Sequence, residues 1–379
     1  MCESRMRLFD GVESLGDRTI LYNESGFDYL QGSGRPEMIR VKDLLESWFS
    51  DYPDENKEAL RKRLRGEKQN GQKHKLSLRR SSFQQAFFEL YVYTLLRRLG
   101  CNVVVEPNIG HIQGKDTSPD FLATNDSTGY SFYVEATVQT DGRAQQYDEF
   151  EREIKATLDQ LRCPDFIVCI DQFRITSKQW TPSTKRLARY VEKRLLELRA
   201  EPSARAFGPL TFQGHGWRLT FHFESRSEQE LWVKPTRSLK ETGSTRAVYD
   251  TENIRKAIKD KASHYGYLNH PFIIAINVRE HLVTPETVFE ALYGSVKHVF
   301  NVVPHEGRVI GDLEFSHFQP KYNGAFRARG RQHTRVSAVW VASSLFGPSA
   351  IGSADMYQFE NHFAEDRFQP NFPCLPSCL

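Results

Sequence analysis

The sequence predicts an α/β fold with a mixed central sheet flanked by helices, and three observations predict it. Residues 83–99 (FQQAFFELYVYTLLRRL) are apolar nearly all round a helical wheel, which marks a buried helix. Runs at 103–106, 120–124, 130–137, 166–170, 271–278 and 336–342 have the length and side chains of strands. Their order, helix–strand–hairpin–helix–strand with a later return of the same rhythm, is that of a sheet covered by helices.

The elements follow in turn. Residues 1–80 read as a helical extension, with amphipathic stretches at 41–49 and 55–64 separated by Pro53. Within it, 61–80 carry nine Lys/Arg and one acid, Glu67, so the stretch is either a solvated basic linker or a track for phosphates. Residues 81–171 form the predicted core. Gly100 ends the buried helix as a C-cap glycine. Asn125-Asp126-Ser127-Thr128-Gly129 joins two strands as a hairpin loop. Residues 145–161 place Phe150, Ile154, Leu158 and Leu161 on one helix face, and 166–170 (FIVCI) read as a buried strand.

Residues 172–249 break the rhythm and are predicted to be an inserted α+β segment. A charged helix starts at Thr181-Pro182, and a hairpin turns at Gly214-His215-Gly216, where Trp217, Leu219, Phe221 and Phe223 alternate cleanly. Residues 250–346 continue the α/β core. Ile254, Ala257, Ile258, Ala262 and Tyr265 form a helix stripe, 271–278 a buried strand, and Thr284-Pro285-Glu286 a helix start with proline at its favoured first position. Residues 347–379, rich in Pro, Phe and Asn, are expected to pack loosely over the core as a tail.

At 379 residues the chain exceeds one simple domain. Its net charge of +3 assigns no partner, so the distribution of charge has to. Six cysteines show no paired framework and no zinc spacing, and the N-terminus has no apolar signal region. Both points fit reduced thiols and a cytoplasmic protein. No window approaches the 18 apolar residues of a membrane span. The twelve histidines show neither HExxH nor an organised zinc pattern.

Chemistry points to three acids. Glu89 lies inside the apolar helix, Asp120 opens the apolar run after Pro119, and Glu135 sits near the end of a strand. Carboxylates at apolar positions are costly unless paired, hydrogen-bonded or bound to a cation. Asp120 and Glu135 on neighbouring strands of one hairpin would lie about 5 Å apart, and Mg²⁺ accepts few carboxylates because it keeps several waters. An arginine partner would also explain Glu89, with Arg97 and Arg98 nearby.

Pro119-Asp120, a loop, then Glu135-Ala136-Thr137 resembles the PD-(D/E)xK nuclease superfamily, over roughly residues 83–171. The resemblance implies a restriction-endonuclease-like core and a Mg²⁺- (or Mn²⁺-) dependent endonuclease acting on nucleic acid, DNA ahead of RNA, in restriction or phage defence. It makes Asp120 and Glu135 metal ligands and Glu89 either an auxiliary ligand or a base just behind the ligands. Thr137 stands where that family has its lysine and is expected to position water. Gln139, Lys155 or Lys115 is available to supply the missing polar group. Arg79, Arg80, Lys115, Arg327, Arg329 and Arg331 are the expected phosphate contacts, Arg335 closing the second basic run. A homodimer or a partner subunit stays open. The lost lysine also fits an alternative, a catalytically degenerate nuclease-like domain that binds nucleic acid or a partner protein.

Overall fold

Phe272–Val278 (FIIAINV) and Val336–Ser343 (VSAVWVAS) are buried at every position, as strands covered on both faces must be. They form the centre of a six-stranded mixed sheet. The computed structural model describes residues 6–11, 16, 20–68, 70–109, 118–139, 142–161, 165–177, 179–181, 183–200, 207–225, 239–241, 250–265, 268–278, 284–303, 312–326, 333–343, 345 and 347–368.

The helices are α1 (Gly26–Gly32), α2 (Pro36–Asp51), α3 (Asp54–Arg65), α4 (Leu76–Arg98), α5 (Gly142–Asp159), α6 (Thr184–Ala200), α7 (Asp250–Ala262) and α8 (Pro285–Tyr293). The strands are β1 (Cys101–Val105), β2 (Phe121–Asn125), β3 (Ser131–Val138), β4 (Phe166–Ile175), β5 (Leu210–Gln213), β6 (Trp217–Ser225), β7 (Leu239–Glu241), β8 (Phe272–Val278), β9 (Val296–Val303), β10 (Asp312–Pro320), β11 (Val336–Ser343) and β12 (Asp355–Glu360). The central sheet has the order β1-β2-β3-β8-β11-β12. β3, β8 and β11 run parallel; the outer pairings β1–β2, β2–β3 and β11–β12 are antiparallel.

One sheet face packs against α1–α4 through Phe87, Leu90, Phe121, Phe132, Val134, Ile273 and Trp340. The other packs against α7 and α8 through Ile254, Ile258, Val288, Leu292, Ile274 and Ile276. Alternate residues of β3 and β8 therefore feed two separate cores, as the period of two requires. Helix ends follow local chemistry. Gly66 takes the left-handed conformation at the C-cap of α3, Gly100 does so after α4, and the Thr284 hydroxyl accepts the Thr287 N–H at the start of α8.

The structure departs from the sequence reading in four places. β4 does not join the central sheet. It is in a separate four-stranded sheet of order β5-β6-β4-β7, packed with α5 and α6 around Trp217, Phe221 and Leu195. The strand beside β3 is instead β8, preceded by α7, because a parallel neighbour needs a long crossover. The interruption of the core thus starts after β3 rather than at 172. The 61–80 stretch is a connection only over 66–75; its ends are the last turn of α3 and the start of α4. Part of the tail is built in. β12 pairs with β11, and Phe368 packs against Phe132 and Trp340 at ring distances of 5.5 and 6.4 Å. A β9–β10 hairpin was not expected from the sequence. Among the described residues no helix is long and apolar enough to cross a membrane.

Candidate metal centre

The site forms where β2 runs out beside β3. The last registered pair is Phe121↔Val134, so Asp120 follows one step beyond, next to Glu135. Among the described residues that leaves the β2 side of β3 from Ala136 to Val138 without a strand partner, and side chains take over the pairing. Asp120 Oδ2 accepts the Ala136 N–H at 2.7 Å. Gln85 on α4 donates Nε2–H to the Ala136 carbonyl at 2.8 Å and accepts the Val138 N–H at Oε1 at 3.1 Å. The amide of Gln85 imitates a strand and fixes α4 against the site. Gln85→Leu removes both bonds at nearly constant volume and leaves two backbone groups unpaired. Each such group costs about 1–3 kcal/mol, so a loss of roughly 2 kcal/mol or more is expected in urea unfolding of the full chain.

Glu135 is buried, 4% exposed, and yet fully partnered. Lys261, in the last turn of α7, reaches its Oε1 at 2.5 Å. The Tyr265 hydroxyl donates to its Oε2 at 2.5 Å and also lies 3.2 Å from the Ser118 carbonyl, tying the strand to the loop ahead of Pro119. Burial first, and then the charge and hydrogen bond of Glu135, raise the pKa of Tyr265, so it remains a donor. Arg335 in turn donates to the Tyr265 carbonyl at 2.8 Å.

Glu89, 2% exposed, is held by an arginine, but not by Arg97 or Arg98. Arg63 from α3 makes a two-pronged contact, with Nη1 to Oε2 and Nη2 to Oε1 both at 2.6 Å, and the Tyr52 hydroxyl donates to Oε1 at 3.1 Å. Burial opposes the charge on Arg63, but the Glu89 hydrogen bond and charge outweigh it and raise its pKa. Among the described residues the ligand atoms of Glu89, Asp120 and Glu135 do not gather within one 4.8 Å group. The charge of Glu89 is felt at Asp120.

Asp120 carries the uncompensated part of this charge. Burial first, then Glu135 and then Glu89, push its pKa well above the ordinary carboxylate range, against the Ala136 N–H and Lys261, which pull it down. Among the described residues three carboxylates face two cations, Arg63 and Lys261, a deficit of one positive charge when all are ionised. Two oxygen donors with such a deficit suit a hard divalent cation.

Thr137 is partly buried and lines an open cleft with His74, Leu78, Ser81, Ser82 and Gln85. Gln139 is buried. Lys155 pairs with Glu151 at 2.9 Å on its own helix. Arg79 is ion-paired with Asp28, and Arg80 donates to the carbonyls of Tyr22 and Glu24. Burial, followed by the charge of Arg152, lowers the Arg80 pKa to about 10. Arg79 thus ties α4 to α1, and Arg80 ties it to the segment just ahead of α1. Lys115, Arg327, Arg329 and Arg331 lie outside the described residues. Sequence reasoning did not single out Lys261, Arg63 or Tyr52, and read Tyr265 as only one member of an apolar stripe. No protein-family model, curated protein or solved structure matches the chain.

Proposed function

We propose that the chain is a divalent-metal-dependent nuclease, hydrolysing phosphodiester bonds in nucleic acid, DNA ahead of RNA. The observation that carries this reading is Lys261 bound to Glu135 beside Asp120. Two carboxylates on adjacent strands and a lysine make up the functional set of the superfamily that Pro119-Asp120 and Glu135-Ala136-Thr137 resemble, with the lysine arriving from α7 instead of β3.

Asp120 and Glu135 would hold Mg²⁺ or Mn²⁺, which supplies neutralisation of phosphate charge and a lowered pKa for water. The protein's own groups do the rest. Lys261 sets the orientation of Glu135 and places a positive charge where the phosphorane-like charge develops, a contribution made by position rather than by proton exchange. Tyr265 keeps the second Glu135 oxygen fixed. Glu89, gripped by Arg63, adds its charge to the surroundings of Asp120. The cleft by Thr137 gives a nucleic-acid strand an approach past the edge of β3.

A second reading, a nuclease-like domain that binds without cutting, is favoured by the uncharged Thr137 and by the full engagement of Glu89 with Arg63 and Tyr52. Incubation with plasmid, linear DNA and RNA in Mg²⁺ or Mn²⁺ separates the two. The proposal expects cleavage by wild type that disappears in both Asp120→Ala and Glu135→Ala. Salt-sensitive binding with no cleavage in any metal would favour the second reading.

A further inference from the structure

The second sheet carries a side-chain cluster that the nuclease reading does not use. β4 and β6 pair with Cys169 directly opposite His222 and Ile167 opposite Glu224. Side chains directly opposite in an antiparallel pair have Cβ atoms about 5 Å apart, with diagonal neighbours still in reach. On β6 the residues Trp217, Leu219, Phe221 and Phe223 all face the core with α5 and α6, so His222 and Glu224 project from the opposite face. Cys169 joins them there and is completely buried, while His222 and Glu224 are only half-buried. One ligand atom each from Cys169, His222 and Glu224 lies within 4.8 Å of the others.

The imidazole is already oriented. His222 Nδ1 lies 2.8 Å from Asp171 Oδ1, while Nε2 lies 3.4 Å from Glu224 Oε1. Asp171 is the unpaired residue of a bulge in β4, between Ile170 and Gln172, and its carboxylate meets the ring from there. A carboxylate on one ring nitrogen fixes the tautomer and leaves the other nitrogen with its lone pair available, the arrangement that supports metal-bound histidines. Gly208 packs so closely on His222 that a Cβ there would come within 2.9 Å of the His222 Cβ. The base of the ring is therefore also confined.

We propose that Cys169, His222 and Glu224 hold a zinc ion, with Asp171 positioning the histidine. The donor set of one thiolate, one imidazole and one carboxylate selects zinc over magnesium, because sulfur and imidazole nitrogen are borderline-soft ligands. Zinc bonds of about 2.0–2.3 Å place tetrahedral ligand atoms roughly 3.3–3.8 Å apart, so the cluster must close by up to about 1.5 Å. Rotation of the half-buried His222 and Glu224 side chains provides that closure. Three protein ligands leave a fourth position for water or another donor. The site is independent of the Asp120–Glu135 centre and stands whether or not that centre cleaves nucleic acid.

The test uses the full chain, loaded with zinc, dialysed against metal-free buffer and assayed for retained metal, then titrated with Co²⁺ after the zinc is stripped. One equivalent of zinc and a thiolate-to-cobalt charge-transfer band are expected for wild type and for Asp120→Ala alike. Cys169→Ser should lose the band, and His222→Ala the retained zinc, with circular dichroism showing the fold intact. Asp171→Ala, which touches no metal, should weaken zinc about 10–100-fold in competition with a chromophoric chelator. No retained zinc in wild type would overturn the proposal, as would equal retention by wild type, Cys169→Ser and Glu224→Gln. Either result would leave the cluster as a histidine hydrogen-bonded between two acids.

Discussion

Lys261→Met is expected to lower metal-dependent cleavage by about 10²–10³-fold, the usual cost of deleting one fixed group that stabilises developing charge. The loss should fall mainly on kcat, because Lys261 faces the carboxylates rather than the cleft through which a strand would approach. The fold should survive. Glu135 keeps its bond from Tyr265, so the buried carboxylate is not left without a partner. The charge of Lys261 is also felt at Asp120, where it pulls the pKa down. Its removal should therefore shift the acid limb of any cleavage profile to higher pH.

The companion variant discriminates between roles. Thr137 lies two residues beyond Glu135 on the same strand, so its side chain leaves the sheet on the same side. Thr137→Lys in the Lys261→Met background puts an ammonium where the nuclease motif places one, and a measurable return of cleavage is expected. If Lys261→Met cleaves as wild type does, the lysine is only a structural partner of Glu135. If the double variant folds and binds nucleic acid but stays inactive, position rather than charge is what α7 supplies.

The parts of this site legible in the sequence were the ones joined by short chain segments. Asp120 and Glu135 belong to one hairpin, whose strands and turn are written in contiguous residues, and Glu89 stood out because a glutamate among aromatic side chains demands a partner. Lys261 lies 126 residues from Glu135 and Arg63 lies 26 from Glu89, and no local spacing connects them. They meet only because β8 enters beside β3 and because α3 folds back along α4, both consequences of tertiary packing. A similar limit explains β4. Its apolar start, FIVCI, reads like a core strand, but the exposed alternate positions of its second half mark a strand with a solvent-facing side. The basic stretch 61–80 was ambiguous for the opposite reason. Its charges look like a solvated run in sequence, yet Arg63, Arg65 and Arg79 each find a carboxylate partner in the N-terminal helices or their flanks.

Asp120→Asn is expected to make the metal-free protein more stable at neutral pH while abolishing its stabilisation by Mg²⁺. The sign follows from proton linkage. In the folded, metal-free chain the Asp120 pKa is raised above its ordinary value of 3.8. Between those two pKa values the folded state binds more protons than the unfolded one, so stability falls as pH rises through the window. The slope is at most about 1.4 kcal/mol per pH unit for one proton. Asparagine carries no titrating charge and its side-chain oxygen can still accept the Ala136 N–H, so this contribution to the slope should vanish. The two proteins should converge in stability at acid pH and separate above it, with the variant the more stable. Mg²⁺ should reverse the order. A cation bound only by the folded wild type contributes about 2.7 kcal/mol at a hundred times its Kd, and the variant, lacking one of two charged ligands, should gain almost none. Urea unfolding from about pH 4 to about pH 8, with and without Mg²⁺, reads all of this. A metal-free wild type that gains stability over the variant as pH rises would mean that Lys261 and the Ala136 N–H already satisfy Asp120. The charge deficit that argues for a cation would then not exist. The expected pattern is instead that of a site kept at a cost to the empty fold, since an acid retained beside two others is useful only when something positive is bound.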